Sequence, residues 1–167
     1  MHYKKLVKVF LVASVALFAT LVAFNNITDY NSNFQFVKHV LAMDTTFPDN
    51  QGMWRRLEHP ALHHLAYIFI IAWEVAIAVI CWFGAGRLWS ARHNHRDFNG
   101  AKGAAVAGLG LGIGLWFTGF VVIGGEWFLM WQSDSWNGQE SAARFALLIG
   151  VILIYVNAKD EPEQDYS

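Results

Sequence analysis

The sequence has one cysteine, three prolines and only 15% charged residues among 167. Cys81 alone makes no intrachain disulfide and reads as a small buried hydrophobe. A net charge of -1 excludes a strongly basic surface, and the Lys and Arg present fall in short clusters beside apolar runs, so no nucleic-acid partner is expected. There is no Cys-x-x-Cys-His haem attachment motif, and no strand precedes the glycine-rich stretch around Gly110 as a dinucleotide site requires. No nucleophile, base and orienting group share a catalytic spacing, and no inverted repeat marks a transporter. What is abundant is apolar residue, 55% of the chain, gathered into long runs that define an integral membrane protein.

Four runs are long enough to span: Leu6 to Phe24, Leu62 to Phe83, Ala104 to Met130 and Ser141 to Val156. The chain therefore reads as one all-α membrane domain, with a loop over residues 25–61, a second over 84–103 and an acidic tail, 157–167, that reads as disordered. The first run has the basic start of a signal peptide but is too long for one, and it is taken as a retained anchor. Lys4, Lys5 and Lys8, then Arg87, Arg92, Arg96 and Lys102, then Lys159 fall on one side. The positive-inside rule places both termini and the 84–103 loop in the cytoplasm.

The 25–61 loop carries its own pattern. Asn33 to Met43 sets Phe36 or Val37, Val40 and Leu41 on one side, predicting a short interfacial helix that ends in a turn-rich stretch, Asp44 to Gly52. Span three pairs Gly108 with Gly112 and Gly110 with Gly114, a face that lets helices approach closely, either inside a four-helix bundle or against a second copy or another membrane protein.

These residues also carry a likeness. Asn25 to Asn31, Phe36 to Pro48, Pro60 to His64, Gly124 to Ser133 and Trp136 to Gln139 closely resemble a bacterial family of predicted small integral membrane proteins of unknown function. The resemblance covers nearly the whole chain. It implies a four-span inner-membrane protein with a sizeable loop after span one, and it brings no activity, cofactor or catalytic residue.

Site chemistry must then come from the residues. Glu74 lies mid-run in span two, where an ionised side chain costs at least ~2.5 kcal/mol. No basic residue shares its depth, so a protonated or hydrogen-bonded carboxyl in a polar pocket is expected. His63, Tyr67 and Glu74 share one helical face over roughly 16 Å, and Trp73, Glu126 and Trp127 fall near it. Arg144, in the first turn of span four, is the expected partner of Glu126. The function expected is that of an accessory or interaction subunit. The alternative is a site for quinone, lipid or proton among His63, Tyr67, Trp73, Glu74, Glu126, Trp127 and Arg144. A weaker candidate is a metal held by His39, Met43, His59, His63 and His64, although adjacent His63 and His64 point about 100° apart on a helix. His93 and His95 read as a solvated loop.

Overall fold

A computed structural model describes residues 2–161, so residues 162–167 of the tail read as disordered lie outside the described residues. Helix α1 (His2–Thr28) is followed after a single non-helical residue, Asp29, by α2 (Tyr30–Ala42). Helix α3 (Pro60–Ala91) returns, α4 (His95–Ile113) continues into a π-helix (Gly114–Trp127), and α5 (Gln139–Asn157) closes the bundle. Among the described residues, four helices, counting α4 and the π-helix as one, are long and apolar enough to cross a membrane. The α2 end of the bundle lies opposite the end that gathers the start of α1, the α3–α4 hairpin and the end of α5, here called the hairpin end.

The helices outrun the apolar windows, and two of them start at polar caps that lie outside those windows. His59 Nδ1 accepts from the Ala61 N–H with Pro60 in the first turn, and Asn94 Oδ1 accepts from the Arg96 and Asp97 N–H groups. The loop expected over 84–103 shrinks accordingly to Arg92–Asn94, and α3 reaches about 48 Å at ~1.5 Å per residue. Span three stops short of Met130, since Leu129 takes a left-handed conformation (φ 54) that turns the chain out of the π-helix.

The expected interfacial helix is present as α2, longer at its start. Its buried residues are Phe34, Val37, Val40 and Leu41, packed with Tyr67, Phe128 and Met130 in a second core at this end, a helical stripe. Phe36 is only partly buried and packs beside Trp136, with ring centroids 6.4 Å apart. Met43, left-handed at φ 53, ends the helix and is itself buried in that core.

The main core joins α1, α3, α4 and α5. Close approach of α3 and α4 depends on two glycines: a Cβ on Gly84 would stand 2.6 Å from the Ala105 nitrogen, and one on Gly108 would stand 2.6 Å from Cys81 Sγ. The two expected glycine pairs therefore part company. Gly108 meets α3 and Gly112 meets Ile149 of α5, while a Cβ on Gly110 would touch nothing and one on Gly114 would meet only Trp73.

Candidate functional site

Glu74 faces the last turns of α1. Asn26 Nδ2 donates to both of its carboxyl oxygens, at 2.9 and 2.8 Å, and the Asn26 carbonyl accepts from the Tyr67 hydroxyl at 3.2 Å. That carbonyl belongs to the end of α1, where helix geometry leaves acceptors without intrahelical donors. All three side chains are buried, Glu74 to 2% exposure. The cluster is thus enclosed between α1 and α3, where an outward-opening polar pocket was expected. It contains an amide, a phenol and a carboxyl with no cation, so its chemistry is hydrogen bonding between two spans.

The other candidates are dispersed. His63 lies on the Tyr67 side of α3, but its Nε2 donates to the Leu57 carbonyl at 2.6 Å, which assigns the proton to that nitrogen. His64 Nδ1 bonds the Tyr30 hydroxyl at 2.8 Å with its ring stacked 4.1 Å from Phe34. His39 pairs with Asp44 at 2.7 Å and stacks on Trp136, and His59 caps α3. With Met43 in the core, the five suggested metal ligands serve five separate packing roles. Among the described residues no group of three His, Cys, Asp or Glu could hold a metal ion.

The expected Glu126–Arg144 pair is not made. Glu126 is exposed and accepts from Gln139 Nε2 at 3.3 Å, while Arg144 donates to Ser141 Oγ one turn away. The basic residue that does serve this end is Arg55. Its Nη1 donates to the carbonyls of Glu126 and Trp127, at 3.3 and 3.0 Å, and its guanidinium lies over the rings of Trp54 and Trp127. A cation thereby closes the negative end of the π-helix. Trp127 is accordingly part of an aromatic clamp remote in role from Glu74.

Trp73 turns away from Glu74, and its indole N–H donates to the Leu111 carbonyl, 3.2 Å distant, just before α4 changes into the π-helix. Here the π-helix and α3 separate. A crevice of about 190 Å³ lies between them under α2, with Trp73 in its wall.

At the hairpin end a second polar cluster has no counterpart in the sequence reading. Asp160 pairs with Lys8 at 2.7 Å and Lys102 at 2.5 Å, and the Ala158 carbonyl accepts from both ammonium groups. Burial alone would raise the Asp160 pKa, but the two lysines outweigh it and hold the carboxyl below the usual aspartate range. Lys5 nearby donates to the Arg92 carbonyl.

The fold and these internal clusters define a small all-α integral membrane protein. The chain belongs to the family described as "Predicted small integral membrane protein (DUF2165)", whose sequence model matches residues 4–159. No curated protein and no solved structure matches it.

Proposed function

We propose that this protein is a non-enzymatic accessory subunit of the bacterial inner membrane that binds a transmembrane helix of another protein along α4. The observation that carries the reading is the outward face of that helix. Gly100, Gly103, Ala107 and Gly110 are exposed, and a Cβ on any of the three glycines would meet nothing within 4 Å. Small residues at this spacing allow close backbone approach inside a bilayer, where packing drives association. His39, His59, His63, His64 and Glu74 are engaged within the chain and offer no competing catalytic arrangement.

A second copy is the less suitable occupant. Arg96 lies one turn before Gly100 on the same face. A parallel two-fold dimer through this face would set Arg96 against its own image, and like charges facing each other oppose pairing.

Mild-detergent purification of the tagged chain from its native host tests the proposal. Gly103→Leu and Gly110→Leu should lose a partner that the wild type retains while unfolding at the same temperature. Gly84→Ala should instead lower stability by about 1–3 kcal/mol, because its Cβ would collide with α4. Leucine variants that keep every partner, or a wild type that runs as a homodimer, would overturn the reading.

The orientation proposed with this function places the hairpin end in the cytoplasm, supported by Arg87, Arg92, Arg96 and Lys159 there. A reporter active only in the cytoplasm, fused after Lys159, should be active. Activity of a periplasm-specific reporter at that position would invert the topology.

A further inference from the structure

We infer that the crevice between α3 and the π-helix is a binding site for one acyl chain of a membrane phospholipid. Its walls are formed by Ala66, Phe69 and Trp73 of α3 and by Gly119, Phe120 and Ile123 of the π-helix, and Val40 of α2 forms part of its roof. Phe69 and Ile123 are respectively 60% and 47% exposed, so they flank a mouth on the membrane-facing surface of these two spans. Hydrocarbon reaches that mouth directly.

The lining chemistry selects the occupant. Water needs two to four polar partners to enter a cavity, and the side chains here supply almost none. The Trp73 indole is the only N–H donor among them, and its proton is already given to Leu111. A quinone ring would bring two carbonyls with no donor to meet them, and a charged headgroup would be unpaired. A flexible alkyl chain asks only for dispersion contacts, which the aromatic and aliphatic walls provide.

Gly119 leaves part of the room. A Cβ on Gly119 would meet only Leu115 Cδ1, at 3.7 Å, so larger side chains at this position extend into the crevice instead of striking a neighbouring backbone. This site stands apart from the α4 face and from the polar clusters, and does not depend on either.

The test uses nanodiscs containing a phosphatidylcholine with a diazirine in its acyl chain. After irradiation, peptide mapping should show labelling of 66–73 and 115–124 enriched several-fold over the exposed α5 face at Leu147, Val151 and Ile154. Gly119→Leu, and independently Ala66→Leu from the opposite wall, should abolish the enrichment while each variant keeps wild-type helicity. If one variant fails to fold, the other decides. Equal labelling of crevice and α5 face, enrichment that survives a folded filling variant, or displacement of the label by a prenylated quinone but not by unlabelled phospholipid would each overturn the assignment.

Discussion

Asp160→Ala should destabilise the protein by about 3–5 kcal/mol, the scale expected when one member of a buried ion cluster is removed and its partners stay charged. Among the described residues, Lys8 and Lys102 would then keep the Ala158 carbonyl, the Tyr155 and Phe98 rings and, for Lys102, Asn99 Oδ1, but no carboxylate. Thermal or denaturant unfolding in nanodiscs measures the loss. Combining Asp160→Leu with Lys8→Met and Lys102→Met should recover much of it, since well-packed apolar replacements often match a buried ionic group. The pH dependence has a definite sign. Asp160 has a depressed folded-state pKa, so its contribution is full above the ordinary aspartate value of about 3.9. It declines as pH falls below that value and is lost once pH has passed through the lower folded value. An Asp160→Ala protein as stable as wild type at pH 7 would contradict this account.

Substitutions at Asn26 and Glu74 should separate a neutral hydrogen-bonded carboxyl from an ionised one. Asn26→Leu removes the donor that serves both Glu74 oxygens and should cost about 1–3 kcal/mol, the penalty for a buried polar group left unsatisfied. Glu74→Gln keeps a carbonyl acceptor for Asn26 and should cost less than about 1 kcal/mol. The pair Asn26→Leu with Glu74→Leu should return part of the loss, measured as a double-mutant cycle. If Glu74→Gln proves as damaging as Asn26→Leu, the negative charge itself is required and the neutral reading fails.

The architecture was legible because it depends on run length and on a single stripe. Four apolar runs fixed the spans, and the spacing of Val37, Val40 and Leu41 revealed α2. The helix ends were legible in principle: Asn94 with Asp97, and His59 with Pro60, are ordinary start signals outside the hydropathy windows. The partner of Glu74 was not. Asn26 lies beyond the apolar run of α1, and only the continuation of that helix to Thr28 carries its amide to Glu74. Depth along the membrane normal suggested Arg144 for Glu126, but depth says nothing about azimuth. The two residues face different neighbours, while Arg55 arrives from a loop whose path no periodicity encodes. The π-helix was invisible for a related reason, since its hydrogen-bond register leaves no period in a uniformly apolar segment.

The Asp160 cluster also sets an order of events during synthesis. Lys8 and Lys102 precede Asp160 in the chain by 152 and 58 positions, so both emerge from the ribosome long before their counter-ion. Until then each ammonium has to remain in contact with water or lipid phosphates. The ends of α1 and α4 cannot settle into their final contacts. Asp160 follows the last span by only three residues, and its arrival neutralises part of the waiting charge and draws three helices together at once. A chain interrupted just after Asn157 would therefore possess all four spans and the apolar core between α1 and α5, yet lack the ionic contacts that tie α1 and α4 to the segment after α5 at this end.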